Sequence, residues 1–316
     1  MVYTAADLEV LVLSHKRPAF LRETLSCYRA QTVQGFRLAV YSNGKCPEIK
    51  DISQQFNAEL FYEEQELGMY INIQRAIAGA KAKLTILAHD DDLIAPGYVE
   101  ALLRVFNKYE NLTLAISQTG NYVDSHTKFN KSECIYCSSP MYLGAYIFTG
   151  GNFTFSSFCA KTAALKKVDI SKNTPYGKVT DVPFMFQTLT EHSVSCVLIG
   201  PFIMYRLHNG QDCVDYATGP TAEQWLNLAR FYKQLFIKGS VRFRIFFMLQ
   251  NFRYVRIGWR DWCKCEYGKK TYLQYLALAY KKGVISIISC IFGVLIRGSF
   301  SHYLQQKLIK FHKKIY

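Results

Sequence analysis

The sequence predicts an α/β fold built on a mainly parallel, doubly wound sheet. Two observations support this prediction. Strand-like apolar segments alternate with helical ones between residues 8 and 88, and the opening segment, Leu8 to Leu13, is apolar at nearly every position. A continuous apolar run is typical of a parallel strand buried on both faces. Alternating strands and helices are typical of crossovers that keep neighbouring strands parallel.

The first strand leads into a helix. Pro18 suits the first turn of a helix, and Leu21, Leu25 and Tyr28 recur at helical spacing. We therefore predict a helix from Pro18 to about Gln31.

The following segments repeat this pattern. We expect strands at Phe36 to Tyr41, Glu59 to Tyr62 and Leu84 to Ala88, and a helix over Ile71 to Lys83. In open α/β sheets the ligand binds at the carboxyl ends of the strands, so residues that directly follow a strand are candidates for a functional site.

The strand at Leu84 to Ala88 leads directly into His89, Asp90, Asp91 and Asp92. Three adjacent carboxylates repel one another unless a divalent cation or several hydrogen-bond donors compensate. A single Asp is common in turns and at helix N-caps. Three consecutive Asp residues directly after a buried strand instead favour a ligand-binding site.

Composition excludes several classes of protein. Half of the 316 residues are hydrophobic and 15% are aromatic, which excludes a disordered chain. Ten cysteines are too sparse for a disulfide scaffold, so we expect free thiols even at Cys134 and Cys137, whose spacing would suit half of a zinc site. No leader pattern precedes the first polar residues, and we expect a cytoplasmic protein.

The net charge of +14 is distributed unevenly. Residues 1–232 have a net charge of −1, whereas residues 233–316 have a net charge of +15. Such a distribution indicates a nearly neutral body followed by a separate basic region.

Five motifs in the first two thirds of the chain resemble those of the family-2 glycosyltransferases, which have the GT-A fold. Their order and spacing make the match stronger than any one motif does. The resemblance implies an inverting transfer of a sugar from a nucleotide diphosphate to an acceptor hydroxyl. The motifs are Ser14 to Pro18, Gly68 to Asn72, His89 to Asp92 with Pro96 after it, Thr180 to Pro183, and Tyr205 to Gln211.

The resemblance also implies roles for individual residues at the donor. Ser42 stands where the family usually has an Asp that reads the base, so a uridine diphosphate donor is expected from the family and not from this position. The residues implied to contact the donor nucleotide are Ser14, His15, Arg17, Ser42, Asn72 and Asp90.

A metal site and a base follow from the same resemblance. Asp91 matches the metal-binding Asp of the family and His208 its C-terminal histidine, with Asp92 as a possible further ligand for Mn²⁺ or Mg²⁺. His208 could also be a surface histidine. Asp181 matches the catalytic base, although an Asp before Val-Pro also suits a helix N-cap. Arg206 and Gln211 fall in the loop implied to contact the diphosphate or acceptor.

The C-terminal region suggests a membrane partner. From residue 233 onward basic residues alternate with aromatic and aliphatic ones, a pattern typical of helices that lie on anionic bilayers. The uncharged run Val284 to Ile296 is too short to span a bilayer. Helices packed on the catalytic domain with a solvated basic face are the alternative. We expect a GT-A domain at residues 1–215 and a basic amphipathic helical region at residues 216–316.

These expectations together describe a glycosyltransferase that extends a lipid-linked O-antigen or capsule glycan at the inner face of the cytoplasmic membrane. Two alternatives stay open at this point: a nucleotidyltransferase of related fold, which would not need Asp181, and a non-catalytic module that binds membrane or nucleic acid. We do not expect nucleic acid as a partner, because the chain contains no known reader motif.

Overall fold

A computed structural model of the chain describes residues 2–121, 133–148, 153–206, 208, 222–247, 277, 279–281, 283 and 312–314. In this part of the chain the strands are β1 Leu8–Ser14, β2 Arg37–Ser42, β3 Glu59–Phe61, β4 Leu84–His89, β5 Leu93–Ile94, β6 Leu112–Asn121, β7 Glu133–Cys137, β8 Phe158–Lys161, β9 Val194–Tyr205 and β10 His312–Lys314. The helices are α1 Pro18–Arg29, α2 Glu48–Gln55, α3 Met69–Ala78, α4 Tyr98–Lys108, α5 Pro140–Phe148, α6 Thr162–Leu165, α7 Asp181–Phe186 and α8 Ala222–Ile237.

The strands form one sheet in the order β10-β7-β9-β6-β8-β4-β1-β2-β3, with β5 paired to β9. The predicted parallel arrangement is found in β3, β2, β1 and β4. Beyond β4 the sheet is mixed, because β8 runs antiparallel between β4 and β6. The sheet as a whole is therefore mixed and not mainly parallel as predicted.

Strand β1 lies in the middle of the parallel part and is buried at every position. Its side chains alternate between the two faces of the sheet, so Val10 and Val12 belong to one core and Leu11 and Leu13 to the other. The core on the Val10 face is covered by α1, α2 and α4, and the opposite core by α3, α5, α7 and α8. The predicted strand buried on both faces is confirmed.

A buried carboxylate decides where α3 ends. Glu9 pairs with Arg37 at 2.5 Å and accepts the backbone N–H groups of Lys81 at 2.9 Å and Ala82 at 3.2 Å. These N–H groups are therefore unavailable for helical hydrogen bonds. The helix stops at Ala78, earlier than the predicted Lys83.

Part of the predicted C-terminal region packs into the core on one face of the sheet. Residues 222–247 are helical apart from a turn at residues 238–240. Phe236 packs against Phe148 with ring centroids 5.7 Å apart, and both rings also contact Phe246 and Phe247. Val284 to Ile296 lies outside the described residues. In the described chain, no helix has both the length and the apolar character needed to cross a bilayer.

The two cysteines of the Cys-x-x-Cys pair lie on opposite faces of the sheet. Cys134 belongs to one core and Cys137 to the other, and both are free thiols. Residues three apart on a strand point in opposite directions, so this pair cannot bind one zinc ion. The prediction of free thiols is confirmed for this pair.

Candidate active site

The ends of three parallel strands meet at one edge of the sheet. Ser14 at the end of β1 lies opposite Ser42 at the end of β2, and Leu13 lies opposite His89 at the end of β4. This register brings the loop after β1 next to the segment Asp90 to Asp92. The sheet thus gathers motifs that are about 75 residues apart in sequence.

Asp90 is fully buried and held by the loop after β1. It accepts hydrogen bonds from the Ser14 hydroxyl and the His15 backbone N–H, both at 2.8 Å, and pairs with Arg17 at 2.6 Å. Burial raises the pKa of Asp90, the charge of Asp91 raises it further, and the Arg17 guanidinium opposes both. The predicted donor residues Ser14, His15, Arg17 and Asp90 therefore form one connected group.

Asp91 lies at the centre of the site. Its Oδ2 atom is 2.5 Å from Arg17 Nη1 and 3.1 Å from His208 Nε2. Burial acts to raise the pKa of Asp91, but the charges of His89 and Arg17 and a hydrogen bond from His208 hold it below its ordinary value. His208 therefore lies beside Asp91, as the resemblance implies, although 117 residues separate the two.

Arg206 fixes the end of β9 against the same segment. Its Nε atom donates to the backbone carbonyl of Asp91 at 3.1 Å, and its guanidinium pairs with Glu23. The same guanidinium stacks over the Phe20 ring at 4.7 Å, and that ring also contacts His208 at 4.7 Å. Arg206 thus orients the Asp91 backbone, while Gln211 lies outside the described residues.

Asp92 has a buried carboxylate group that receives no hydrogen bond from the described residues. Among the described residues, neither of its carboxylate oxygens has a hydrogen-bond partner, although Ser156 lies nearby. Burial and the neighbouring charge of Asp91 raise the pKa of Asp92 to about 6, while the charge of His89 opposes this rise. A buried carboxylate without donors is costly unless a cation binds to it.

Candidate metal-binding atoms of His89, Asp91 and Asp92 all lie within 4.8 Å of one another. Two carboxylates and an imidazole are suitable ligands for Mn²⁺, and carboxylates also suit Mg²⁺. The donor set and the unpartnered Asp92 therefore fit a divalent cation.

His89 is a functional candidate that the sequence did not single out as a ligand. Its ring stacks on Phe155 at 5.1 Å, nearly parallel, and its backbone N–H donates to the Ser156 hydroxyl at 2.9 Å. These contacts fix its position between the carboxylates and α7. Its place in the motif His89 to Asp92, which carries part of the resemblance, was the available signal.

Asp181 begins α7 and faces the same edge of the sheet. Burial raises its pKa, and the charge of His89 opposes this rise, which places Asp181 within electrostatic reach of His89. Nearby, the Tyr70 hydroxyl donates to the carbonyls of Asn173 and Gly177 at 3.3 and 3.2 Å. Asp181 thus lies close enough to His89, a member of the carboxylate cluster, to feel its charge.

The side chains of Ser42 and Asn72 form hydrogen bonds with nearby backbone groups. The Ser42 hydroxyl accepts the Glu63 backbone N–H at 2.8 Å, and Asn72 donates to the Tyr41 carbonyl at 3.1 Å while accepting from Arg75 at 3.1 Å. Both side chains are buried. They fix the shape of the rim where the donor was expected.

The loop that leads to α3 also closes onto the site. Gly68, the N-cap of α3, has φ 78°, a conformation that favours glycine. Just before it, Glu66 pairs with His15 at 3.0 Å and Lys16 at 2.8 Å. The predicted step from Gly68 to Asn72 is therefore the N-cap and first turn of α3, and Glu66 just before it connects this loop to the first motif.

Comparison with known proteins agrees with this geometry. The model of glycosyl transferase family 2 matches residues 9–168, half of the chain. The chain therefore belongs to glycosyl transferase family 2 and is a glycosyltransferase. No curated protein matches it in sequence.

Several solved structures share the fold. TarS 1-349 of S. aureus is 10% identical with a TM-score of 0.56, and the match covers 90% of this chain and 82% of that one. The same fragment in complex with UDP-GlcNAc is 11% identical with a TM-score of 0.53 and 88% coverage of both chains. The mannosyltransferase PcManGT of Pyrobaculum calidifontis, in complex with GDP-Man and Mn²⁺, is 9% identical with a TM-score of 0.51, covering 94% and 84%. At these identities the likeness shows the GT-A fold alone.

Proposed function

We propose that the protein transfers a sugar, with inversion, from a nucleotide diphosphate donor to a hydroxyl of a growing, lipid-linked glycan of the O-antigen or capsule type. A UDP-sugar is the expected donor. The observation that carries the proposal is that Asp91, Asp92 and Asp181 all lie near His89 at the carboxyl edge of the sheet. TarS in complex with UDP-GlcNAc and the mannosyltransferase in complex with GDP-Man support a nucleotide-sugar donor.

The donor nucleotide is proposed to lie against the loop after β1. Ser14, His15 and Arg17 surround Asp90 there, and Ser42 and Asn72 support the neighbouring rim. Arg17 and Arg206 provide positive charge for a diphosphate, and Gln211 belongs to the same proposed loop. The exposed side chain of His15 pairs with Glu66 on the outer side of this loop.

Asp91 and Asp92 would hold the divalent cation with His89, and His208 lies beside Asp91 to complete or support the set. The mannosyltransferase bound to Mn²⁺ supports a metal of this kind. When bound, such a cation supplies positive charge to the departing diphosphate. Asp92 would contribute a buried carboxylate that has no hydrogen-bond partner among the described residues.

Asp181 is proposed as the base. Its carboxylate accepts the proton of the acceptor hydroxyl while the hydroxyl oxygen bonds to the anomeric carbon and the bond to the diphosphate breaks. Attack from the side opposite the leaving group inverts the anomeric configuration. A raised pKa suits this role, because a carboxylate with higher proton affinity is a stronger base.

The proposed activity can be tested with a screen of nucleotide sugars. We expect one or more UDP-sugars to raise the unfolding temperature in the presence of Mn²⁺ and to be hydrolysed slowly, since the site binds nucleotide and metal together. Thermal unfolding and release of nucleoside diphosphate are the measurements. The proposal fails if no nucleotide sugar produces either effect.

We further propose a division into a GT-A domain at residues 1–215 and a membrane-associated region at residues 216–316, which would keep the enzyme at the inner face of the cytoplasmic membrane. An exposed group at the end of α8 supports this proposal. Ile237, Val241 and Ile245 are exposed apolar side chains, with exposed Lys238 and Arg244 among them. Aliphatic and cationic side chains together match the chemistry of an anionic bilayer surface.

The full chain is expected to sediment with anionic phosphatidylglycerol vesicles and not with neutral phosphatidylcholine vesicles. A truncation after Phe247 should lose most of this binding, because it removes most of the C-terminal Lys and Arg residues. It keeps Phe243, Phe246 and Phe247, which pack in the core, whereas a cut at residue 240 would remove them. The membrane proposal would be contradicted if the full chain did not sediment with anionic vesicles.

A further inference from the structure

Arg17 forms an ion pair with Asp91, one of the carboxylates proposed to bind the metal. Its guanidinium lies 2.6 Å from Asp90 Oδ1 and 2.5 Å from Asp91 Oδ2, and 3.4 Å from His208 Nε2. Asp91 is also a member of the cluster with His89 and Asp92. One carboxylate thus belongs both to a tight ion pair and to the candidate metal site.

We propose that Arg17 is an internal cation that competes with the divalent metal for Asp91 and is released from this carboxylate when metal and donor bind. The inference rests on the metal role proposed above. It assigns Arg17 a positioning function in addition to its proposed contact with the nucleotide.

The competition follows from charge and from lone pairs. Asp91 Oδ2 already receives Arg17 Nη1 and His208 Nε2, so a metal ion at this oxygen would have to replace one of these contacts. A cation bound at the other oxygen of Asp91 would still lie only a few ångströms from the guanidinium. Two positive charges at such a distance repel strongly in a largely buried site. Metal binding at Asp91 is therefore unfavourable while the Arg17 guanidinium stays in its present position.

The local backbone directs Arg17 into the site and its neighbour away from it. Lys16 adopts a left-handed conformation with φ 54°, and Pro18 begins α1 directly after Arg17. Lys16 consequently pairs with Glu66 on the exposed side of the loop, at 2.8 Å. Two adjacent cations in one loop thus have different partners, and only Arg17 reaches Asp90 and Asp91.

Arg17 has an alternative partner when the donor is present. Its side chain is 29% exposed, so it is accessible from the donor side of the site. A guanidinium binds phosphate with the same two-point geometry that it uses for carboxylate. Arg17 can therefore exchange Asp91 for a diphosphate oxygen, which would couple metal binding to donor binding.

The test measures Mn²⁺ binding to the full chain without any nucleotide, by calorimetry or by electron paramagnetic resonance of free Mn²⁺. We expect Arg17→Ala to bind Mn²⁺ about ten-fold more tightly than the wild type, because the competing cation is gone. The matched control is Lys16→Ala, which removes the same charge from the same loop and should leave the affinity nearly unchanged. A merely structural role of Arg17 would weaken metal binding, so the direction of the change is decisive.

Each outcome distinguishes the inference from the proposed function. If Arg17→Ala binds Mn²⁺ no more tightly than Lys16→Ala does, Arg17 does not compete, although the metal site itself stands. If neither the wild type nor any variant binds Mn²⁺, the metal role fails as well. Should Arg17→Ala not fold, as judged by its circular dichroism, Arg17→Lys replaces it. A lysine keeps the charge but lacks the two-point contact, so tighter Mn²⁺ binding than in the wild type is expected, and equal or weaker binding overturns the inference.

Discussion

Replacement of Asp181 by asparagine is expected to lower the rate of glycosyl transfer by about 10²- to 10⁴-fold, the usual contribution of a general base. An amide of the same shape keeps the start of α7 but cannot accept the proton of the acceptor hydroxyl. Affinity for the donor should stay nearly unchanged. Steady-state kinetics with donor and acceptor, together with a binding measurement for the nucleotide sugar, provide the test.

Asp169→Asn is the matched control for this variant. Asp169 also lies at the start of a helical segment, where its carboxylate accepts from the Ser171 backbone and hydroxyl, but it is exposed on the surface. The control should transfer sugar at nearly the wild-type rate. Retained turnover in Asp181→Asn would exclude Asp181 as the base.

The pH dependence of the wild type offers a second check on Asp181. Transfer needs the ionised carboxylate, so kcat/KM should fall as the pH drops through the pKa of Asp181. Because burial raises that pKa, the acid limb is expected above the ordinary Asp value of 3.8. The remaining activity of Asp181→Asn should lack the part of this limb that belongs to Asp181 and keep any part due to protonation of Asp92, whose pKa burial raises to about 6.

Replacement of Asp91 by asparagine is expected to abolish measurable Mn²⁺ binding and to lower transfer by at least about 10²-fold. The change removes a negative charge from a site where two carboxylates are proposed to hold the cation, and neutral amide oxygens bind divalent cations more weakly. Calorimetry with Mn²⁺ and a transfer assay measure the two effects. Thermal unfolding reports whether the loss of the Arg17 and His208 contacts also destabilises the fold.

Asp51→Asn serves as the control for this change, because Asp51 is an exposed residue of α2. It should bind Mn²⁺ and transfer sugar like the wild type. Unchanged metal affinity in Asp91→Asn would show that the cation is held elsewhere, and Asp92 and His89 would become the next residues to test.

The parallel part of the fold could be predicted because its determinants are local. An apolar run at β1 and a proline at the start of α1 specify a buried strand and the helix that follows it, whatever the rest of the chain does. Element ends were harder to place. Helix α3 stops early because Glu9, about 70 residues away in sequence, accepts the backbone N–H groups of Lys81 and Ala82.

The residues of the site could likewise be predicted only where the signal was local. The three carboxylates Asp90 to Asp92 stand out in the sequence because adjacent carboxylates at the end of a strand repel one another unless a cation or hydrogen-bond donors compensate. His89 did not stand out as a ligand, since a single histidine has many structural uses. Ser42 and Asn72 were predicted for the donor, but their hydrogen bonds to Glu63 and Tyr41 became visible only in the folded chain.

The α/β fold, the carboxylate-rich strand end and the basic C-terminal region could be predicted from the sequence, because they follow from composition and periodicity, and the motifs resemble those of the family-2 glycosyltransferases. How those carboxylates are balanced became visible only in the folded chain. Arg17 and His208 lie on the same oxygen of Asp91, and neither carboxylate oxygen of Asp92 has a hydrogen-bond partner among the described residues. Charge compensation depends on distances of a few ångströms between residues far apart in sequence, and the register of the sheet sets those distances, so no local pattern could predict it.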